Sequence, residues 1–283
     1  MPLVSMTELM QRARKEKFAV GQFNLNNLEF AQAIIEAAEE ERSPVIFGVS
    51  QGAIKYMGGW DLAVAIAKTL AERTFVPVVL HLDHGTSFEQ CAQAIRAGFS
   101  SVMFDGSHIS LEENIRETKL VVRMAHAVGV SVEGEVGAIG GTEDEITNEE
   151  ELLARPEDGI RFYEETGVDA LALSVGTAHG VYKGVPNIRH HIIQAVTEKI
   201  PIPIVLHGAS GVPDDQIRRA IEVGVGKINI NTENMQAMTE AVRRVLAENP
   251  DLYDPRKYLG PGREAIKAVV KAKMRLFGSS GKA

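Results

Sequence analysis

The sequence predicts an α/β fold, most specifically a TIM (β/α)8 barrel followed by a C-terminal helical arm. Its 283 residues contain eight short apolar runs rich in β-branched residues, and helical patterns lie in the gaps between them. Buried strands that alternate with helices are typical of parallel βαβ units. Eight successive units favour a closed barrel. An open, doubly wound sheet is the weaker alternative.

The predicted strands follow one another with a helical stretch in each gap. Two of these stretches are "NLEFAQAIIEAAEEE" and "SFEQCAQAIRAG", whose apolar residues repeat at helical spacing. Several stretches begin after Asn, Ser or Asp, whose side chains cap the free N–H groups of a helix start. The strands are predicted over residues 18–24, 44–50, 76–83, 101–106, 130–136, 169–175, 202–208 and 226–231.

Two segments exceed a plain barrel. One is the acidic stretch over residues 140–158, after the fifth strand, and the other is the C-terminal arm over residues 250–283. An acidic run is usually a solvated face. Its Gly-Gly start, at the rim where barrel enzymes act, also suggests a mobile lid. Because no long linker interrupts the pattern, we expect a single domain over residues 1–283.

The composition narrows the class of partner and the compartment. The formal net charge of −8 argues against nucleic acid or an anionic membrane surface as the main partner. A lone cysteine, Cys91, excludes a disulfide framework and fits a reducing compartment. The sequence has no apolar signal core and no run of transmembrane length. We therefore expect a cytoplasmic protein.

Polar side chains collect at the predicted C-terminal ends of the strands, whereas the N-terminal halves are apolar. Active sites of TIM barrels are built at that end, so the asymmetry predicts an active site there. In strand order, the residues are His81, Asp83 and His84; Asp105; Glu133 and Glu135; His179 and Lys183; His207; and Asn229, Asn231 and Thr232.

Three of these residues, His84, His179 and His207, are histidines that follow three different strands. A lone histidine is more often a satisfied core or surface residue, but three on one rim favour a metal site. Three histidines with an open fourth position form a known catalytic zinc arrangement. His81 shares strand parity with Asp83 and is expected to pack inside or to support a ligand. No site role is expected for His108, His126, His190 and His191.

The carboxylates allow more than one interpretation. Asp83 is expected to point to the other face of its strand from His84, where it could act as an acid or base or could orient a histidine. Asp105 and Glu135 could hold a second cation or shape the first site. For Glu143, in the acidic stretch, simple solvation is the favoured interpretation from the residues alone.

Glycine-flanked loops follow the sixth and seventh strands, in "HGVYKG" and "HGASG", and "NINT" follows the eighth. Backbone N–H groups, a hydroxyl and a lysine suit a phosphate, and barrels often bind phosphate near strands seven and eight. Each short motif is weak evidence alone. With an adjacent metal, they predict a phosphorylated substrate.

Taken together, these motifs resemble those of the class II, metal-dependent fructose-1,6-bisphosphate aldolases of the shorter bacterial kind. The resemblance runs from "AVGQFNLNNLE" through "HLDHG", "GGTED", "GTAHGVYKG", "LHGASG" and "NINTEN" to "YDPRKYLGP". It implies a TIM barrel that binds Zn²⁺, with a monovalent cation (Na⁺ or K⁺) nearby. It also implies a homodimer or higher homo-oligomer and cleavage of fructose 1,6-bisphosphate to dihydroxyacetone phosphate and glyceraldehyde 3-phosphate.

The resemblance assigns roles to residues that match its motifs. Asp83 matches the residue that handles the proton on the C4 oxygen, and Glu143 matches the mobile-loop glutamate that exchanges the C3 proton of dihydroxyacetone phosphate. The other matches are the zinc ligands His84, His179 and His207, the alternative metal position of Asp105 and Glu135, and the ketose phosphate binders Gly180, Lys183, Gly208, Ser210, Asn229 and Thr232.

Asn24, Ser50 and Arg256 match contacts to the substrate and the far phosphate, with Arg256 supplied by a neighbouring subunit. Two departures from the family pattern stand in "FDGSH" and "VEGEVG", where relatives usually show alanine in place of Gly106 and Gly134. These touch packing near the site and leave the matched side chains intact.

Tagatose-1,6-bisphosphate aldolases are the nearest alternative, because they differ only in the configuration of the substrate at C4. They typically carry a second histidine after "LDH" and "NVATEL" after the eighth strand, whereas this chain has Gly85 and Asn231 there. We expect the missing side chain at Gly85 to change the space next to the metal. The Asn231 amide stands where the sister group has a methyl. These differences favour fructose bisphosphate.

Three further alternatives fit less well. A Schiff-base aldolase needs a lysine inside the barrel rim, and Lys183 in a loop and Lys227 at a strand start are not expected there. A metallohydrolase of the amidohydrolase type needs His-x-His on the first strand, where this chain has "GQFNLN". A non-catalytic barrel partner subunit would be expected to lose a ligand, Asp83 or Glu143, and this chain keeps all of them.

Overall fold

The computed structural model describes residues 3–143, 146–148 and 152–283, and gives Glu143 and residues 146–148 by their backbone alone. Within these residues, eight parallel strands close into the predicted barrel, and three short strands form a separate sheet. The strands are β1 (Val20–Asn24), β2 (Val45–Val49), β3 (Val78–Gly85), β4 (Ser101–Phe104), β5 (Ser131–Val136), β6 (Gly140–Glu143), β7 (Ile146–Asn148), β8 (Ala170–Leu173), β9 (Ala178–His179), β10 (Ile204–Leu206) and β11 (Val225–Ile230). The order around the barrel is β1-β11-β10-β8-β5-β4-β3-β2.

Helices join successive barrel strands, and two of them, α3 and α4, lie between β2 and β3. The helices are α1 (Met6–Glu16), α2 (Leu28–Glu41), α3 (Gln51–Met57), α4 (Trp60–Arg73), α5 (Phe88–Ala97), α6 (Leu111–His126), α7 (Pro156–Thr166), α8 (His190–Thr197), α9 (Asp214–Glu222), α10 (Thr232–Glu248) and α11 (Pro255–Leu276). The stretches quoted above form α2 and α5. Asn27 and Ser87 cap them by accepting hydrogen bonds from the N–H groups of Phe30 and Gln90, which confirms the predicted caps.

Two apolar cores support the barrel. The larger lies between the strands and the surrounding helices. The smaller fills one end of the barrel interior, where Val20, Ile46, Val79 and Val205 meet Met6 and Met10 of α1. Helix α1, which the eight-unit prediction leaves out, therefore closes the end of the barrel near the N-termini of the strands. Polar side chains are left to the opposite end.

The acidic segment over residues 140–158 contains regular structure among its described residues. Strand β6 pairs with β7 in antiparallel fashion and with β9 in parallel fashion, with Gly141 beside His179. Leu152 exchanges backbone hydrogen bonds with Ala138, and Pro156 begins α7. Residues 144–145 and 149–151 lie outside the described residues. The mobility of the segment stays a prediction.

The predicted C-terminal arm is helix α11, which packs against α2 and α10. Lys267 pairs with Glu36 of α2 across this contact, and the chain end follows the same helix, since the Ala283 N–H donates to the Arg42 carbonyl. The arm is therefore part of the helical layer around the barrel. Among the described residues, none of the helices combines the length and the apolar character that crossing a bilayer requires.

Candidate active site

The polar side chains of the barrel interior come from alternate positions of the strands. Side chains two residues apart on a strand share a face, so Glu133 and Glu135 point inward together, as do Lys227 and Asn229. All of these side chains are buried. Their desolvation is costly unless each is paired, and the pairs that they form define the site.

Strand β3 delivers both Asp83 and His84 to this interior. Its register with β4 shifts between Leu82 and Gly85, and His84 has a φ of 50°. The expectation that Asp83 and His84 point to opposite faces is therefore wrong, because the bulge breaks the alternation. Non-glycine residues with positive φ cluster at functional sites, where the surrounding structure holds them in place.

The three predicted histidines meet at the open end of the barrel. The ring of His84 has its centroid 5.2 Å from that of His179 and 4.8 Å from that of His207, and His179 and His207 are 5.8 Å apart. One ring nitrogen from each residue lies within 4.8 Å of the other two. The cluster therefore has the three ligands of a three-histidine metal site, and their ring nitrogens lie close enough together to share one ion.

Two carboxylates decide which nitrogens face the cluster. His84 Nδ1 lies 2.7 Å from Asp105 Oδ2, and His207 Nε2 lies 2.9 Å from Glu133 Oε1. A carboxylate accepts, so each of these ring nitrogens carries its proton and donates. In the neutral rings, the other nitrogens, His84 Nε2 and His207 Nδ1, then present lone pairs to each other 3.1 Å apart.

Facing lone pairs repel unless a cation lies between them. Two nitrogen ligands of a tetrahedral zinc ion, each at about 2.0–2.1 Å from it, lie about 3.3 Å apart. The 3.1 Å between His84 Nε2 and His207 Nδ1 is close to this spacing. Carboxylates behind the ligating imidazoles are also the usual support of metal-binding histidines. The donor set fits a divalent metal ion.

A second possible cation cluster shares His84 with the first and adds Asp105 and Glu135. Burial works to raise the pKa of Asp105, but hydrogen bonds from His84 and the Ser107 N–H outweigh it and hold that pKa below its usual range. Burial and the neighbouring Asp105 charge raise the pKa of Glu135 well above its usual value. The pKa values of the two carboxyl groups are therefore shifted in opposite directions, that of Asp105 toward the charged form and that of Glu135 toward the neutral form.

Asp83 lies beside the histidine cluster and contacts two amides. Asn24 Nδ2 and Asn229 Nδ2 each lie 3.4 Å from one of its carboxylate oxygens. The same Asn229 nitrogen lies 3.3 Å from His207 Nδ1. Asp83 is fully buried, so a substrate group that reached it would exchange protons away from bulk water.

Beneath the histidines lies a charged pair to which the sequence analysis gave no role in the site. Lys227 Nζ is 2.9 Å from Glu133 Oε2, and both side chains are fully buried. Burial works to raise the pKa of Glu133, but the Lys227 charge and the hydrogen bond from His207 hold it below its usual range. Strand parity with Glu135 and Asn229 was the available signal for both residues.

Lys227 lies inside the barrel, contrary to the expectation from its position at a strand start. Its ammonium group is held by Glu133 and donates to Asn229 Oδ1 at 2.9 Å. A protonated amine has no lone pair with which to attack a carbonyl group. The Schiff-base alternative therefore remains disfavoured, now because of this pairing. His81 packs inside as expected, with its pKa lowered to about 3 by burial and by the Lys227 charge.

A cavity of about 290 Å³ opens next to His179. Gly208 has a φ of 61°, and a Cβ there would lie 2.4 Å from the Ala178 carbonyl oxygen, so only glycine fits this close approach. Helix α10 begins at Thr232, and the N-terminal end of a helix suits an anion. Six predicted phosphate-site residues line the cavity, namely Gly180, Gly208, Ser210, Asn229, Asn231 and Thr232, together with Asn26, Thr142 and Met235, which were not predicted.

Other predicted residues lie outside this cavity. Lys183 is exposed in the loop after β9. Ser50 is buried at the end of β2, where its hydroxyl accepts from the Ala53 N–H and caps α3. Arg256 lies on α11 beside a separate cavity of about 300 Å³. Glu143 ends β6, and its side chain lies outside the described residues.

The expected effect of Gly85 on the metal environment is wrong. A Cβ at Gly85 would lie 2.7 Å from the Met103 carbonyl oxygen and 2.8 Å from Leu82 Cδ2, with Cys91 Sγ next at 3.2 Å. This position faces β4 and α5, away from the histidine rings, because the bulge has already turned His84 inward. Asn231 does line the cavity, where its Oδ1 accepts from Asn26 Nδ2 at 3.0 Å.

Comparison with known proteins gives one consistent result. A family model described as "Fructose-bisphosphate aldolase class-II" matches residues 4–282. The chain is 54% identical over 285 residues to the "Fructose-bisphosphate aldolase" of Geobacillus stearothermophilus, covering 100% of this chain and 99% of that protein. It is also 54% identical to the "Probable fructose-bisphosphate aldolase" of Bacillus subtilis (strain 168), with 100% of both chains covered.

Solved structures resemble the fold over nearly the whole chain. The YdjI aldolase from Escherichia coli K12 has a TM-score of 0.87 and 34% identity, covering 99% of both chains. The fructose-bisphosphate aldolase of Campylobacter jejuni has a TM-score of 0.83 and 27% identity, covering 100% of this chain and 97% of the other.

Proposed function

Because this chain belongs to the class II fructose-bisphosphate aldolase family, we propose that His84, His179 and His207 bind its divalent metal as Zn²⁺. The enzyme catalyses the reversible aldol cleavage of fructose 1,6-bisphosphate to dihydroxyacetone phosphate and glyceraldehyde 3-phosphate. The observation that carries the metal assignment is the pair of facing lone pairs on His84 Nε2 and His207 Nδ1, 3.1 Å apart. When bound, the metal acts as a Lewis acid toward the ketone oxygen and stabilises the negative charge that develops there.

Asp83 is the proposed acid and base at the C4 oxygen. In cleavage it takes the proton of the C4 hydroxyl group as the bond between C3 and C4 breaks, and in synthesis it returns this proton. Its burial and its two amide neighbours, Asn24 and Asn229, support this role, because they fix the carboxylate beside the histidines.

Glu143 is the proposed partner of Asp83 at C3. In cleavage it protonates C3 of the dihydroxyacetone phosphate half, and in synthesis it removes that proton. Strand β6, which ends at Glu143, pairs with β9, which carries His179. This pairing supports the proposal, since it ties the backbone before Glu143 to that of a proposed metal ligand.

The cavity beside His179 is the proposed site of the ketose phosphate. Backbone N–H groups at Gly180 and Gly208, the hydroxyl groups of Ser210 and Thr232, and the start of α10 supply donors for its oxygens. Lys183, in the same glycine-flanked loop as Gly180, is proposed to add positive charge. Asn24 and Ser50 are proposed to contact the substrate carbons, and Asp105 and Glu135 to form the alternative metal position.

Other parts of the assignment go beyond this site. We infer a homodimer or higher homo-oligomer in which Arg256 reaches the far phosphate of a neighbour's substrate, and a monovalent cation, Na⁺ or K⁺, near the first phosphate. We also infer a cytoplasmic location, which the buried free thiol of Cys91 supports.

The metal assignment is tested by removing the metal. We expect a strong chelator to abolish cleavage and added Zn²⁺ to restore it. His84→Gln should lower the bound zinc per chain, whereas His108→Gln, at an exposed histidine outside the cluster, should not. Cleavage that persists after elemental analysis shows metal-free protein would contradict the proposal. Borohydride with substrate should trap no adduct on a lysine.

The choice of sugar is tested separately. Fructose and tagatose bisphosphates yield the same trioses, so each must be supplied alone and their kcat/KM values compared. We expect a preference for fructose bisphosphate, which the names of the relatives and the Asn231 amide in the cavity support. A tenfold preference corresponds to only about 1.4 kcal/mol in the transition state. A preference for tagatose bisphosphate would reverse the assignment.

A further inference from the structure

Lys227 is a fully buried lysine in the barrel interior, away from the substrate cavity. Its ammonium group lies 2.9 Å from Glu133 Oε2 and donates to Asn229 Oδ1 at 2.9 Å. Each of these two neighbours in turn contacts His207, a proposed metal ligand. Burying a lysine costs free energy, and packing alone would be served as well by an apolar residue. The contacts indicate what the charge does.

The first path runs through Glu133. Glu133 forms an ion pair with Lys227 at 2.9 Å, and the carboxylate of an ion pair can only accept hydrogen bonds. Its Oε1 lies 2.9 Å from His207 Nε2. The neutral imidazole must therefore carry its proton on Nε2, which leaves the Nδ1 lone pair directed at His84. A neutral group at residue 133, which can donate as well as accept, could form a hydrogen bond with either tautomer of His207.

The second path runs through Asn229. An ammonium group has donors and no acceptor, so the Asn229 side chain must turn its oxygen toward Lys227. Its Nδ2 group is then directed to Asp83 Oδ1 at 3.4 Å and to His207 Nδ1 at 3.3 Å. With the opposite amide orientation, the Asn229 oxygen would face the Asp83 carboxylate and repel it. One buried charge therefore fixes two groups of the site.

We propose that Lys227 is a positioning residue that selects the metal-binding tautomer of His207 through Glu133 and the amide orientation of Asn229. This inference rests on the proposed function, in which His207 is a metal ligand and Asp83 the acid and base. Lys227 itself contacts neither substrate nor metal in this arrangement. Its effect is on metal affinity first and on turnover through Asp83 second.

The test uses a variant that removes both charges. Lys227→Met alone leaves Glu133 charged and unpaired in the interior, so this variant is expected to unfold readily. Lys227→Met combined with Glu133→Gln removes both charges of the pair and keeps the side-chain volumes similar. Gln22→Met is the matched control, because Gln22 is equally buried on the inner face of the adjacent strand β1 and pairs in register with Asn229.

Zinc affinity of the metal-free proteins is measured by competition with a chromogenic chelator, without substrate. The double variant is expected to bind zinc roughly 10- to 100-fold more weakly, the usual effect of losing a partner behind a metal ligand. Gln22→Met is expected to bind zinc as the wild type does. Wild-type affinity in the double variant, or an equal loss in Gln22→Met, would overturn the inference.

A second measurement does not depend on the double variant. Nitrogen-15 NMR of the metal-free wild type, at a pH where imidazoles are neutral, should show the His207 proton on Nε2. The signals are assigned by their loss in His207→Gln. A proton on Nδ1 would overturn the inference. A wild type that binds zinc normally but cleaves no bisphosphate would contradict the proposed function and leave this inference standing.

Discussion

His81 lies beneath the histidine cluster with no exposed surface, and its Nδ1 is 2.7 Å from Ser101 Oγ. Burial and the Lys227 charge lower its pKa from 6.5 to about 3. Between these values the unfolded chain binds a proton at His81 and the folded chain does not. The contribution of His81 to the free energy of unfolding is therefore complete above pH 6.5. It falls by about 1.4 kcal/mol for each unit that the pH drops below 6.5.

This predicts a measurable contribution of one residue to acid sensitivity. The free energy of unfolding of the metal-free protein is measured with denaturant at about pH 7.5 and about pH 5. Its decrease between the two pH values should be about 2 kcal/mol smaller in His81→Gln than in the wild type. The comparison cancels the other histidines, which titrate in both proteins. An unchanged pH dependence in the variant would show that His81 is not held neutral in the folded state.

Gly106 provides a second prediction at this scale. A Cβ there would lie 2.3 Å from Asn114 Oδ1, and Asn114 Nδ2 donates to the Glu135 carbonyl. Gly106→Ala should lower the free energy of unfolding by about 1–3 kcal/mol, since the neighbour must move. Gly260→Ala, in open space on α11, is the control and should not destabilise. Equal denaturation midpoints for both variants would contradict this account.

Single residues also show how far sequence reasoning reaches. The three histidines could be predicted because each follows a strand, and strand ends meet at one rim of a barrel. Lys227 was missed as a site residue, and Glu133 was given no role, because the sequence gives charge but not the partner across the barrel. The predicted relative orientation of Asp83 and His84 was wrong, since the one-residue bulge between Leu82 and Gly85 leaves no sequence signal that alternation can use.

At the scale of elements, β6 and its pairing with β9 carry the strongest functional prediction. Glu143→Ala should retain zinc and fold but lose exchange of the C3 proton of dihydroxyacetone phosphate, because the proposed base is removed. Isotope washout from this substrate, without aldehyde, measures the exchange. Glu157→Ala, at an exposed carboxylate in the same acidic segment, should exchange normally. Wild-type washout in Glu143→Ala would return this residue to a solvated surface role.

Barrel strands and most helices could be predicted because apolar periodicity and capping residues mark them. Helix α1 and the β6–β7 pair could not. The first is an amphipathic helix that precedes the repeating pattern, and its role in closing the barrel depends on tertiary contacts of Met6 and Met10. The second has short strands in an acidic stretch, where backbone pairing with β9 decides the structure.

The proposed role of Arg256 depends on the assembly of whole subunits. Its side chain is 87% exposed and pairs with Asp254 of the same chain, away from the substrate cavity. If it serves a neighbouring subunit, Arg256→Ala should weaken bisphosphate binding, because a guanidinium group holds phosphate by paired hydrogen bonds. Mixing Arg256→Ala with His84→Gln should then restore part of the activity, since one site in each mixed dimer is intact.

The mixing experiment has a clear control. Native mass spectrometry must show mixed dimers. Each variant alone, taken through the same procedure, should keep its own low activity. Mixed dimers without restored activity would place the action of Arg256 within its own chain. A strictly monomeric wild type would contradict the proposed assembly as well.

The contact between β6 and β9 joins the strand that ends at Glu143 to the backbone of a proposed metal ligand, His179. A Cβ at Gly141 would lie 2.2 Å from the His179 carbonyl oxygen, so the two backbones touch directly. A movement of β6 that breaks this pairing also releases the backbone of a proposed metal ligand. If β6 moves once in each catalytic cycle, the zinc ion is most easily lost during those openings. At low zinc concentration the enzyme would then lose its activity in proportion to the number of turnovers. Protein kept without substrate would stay active for longer.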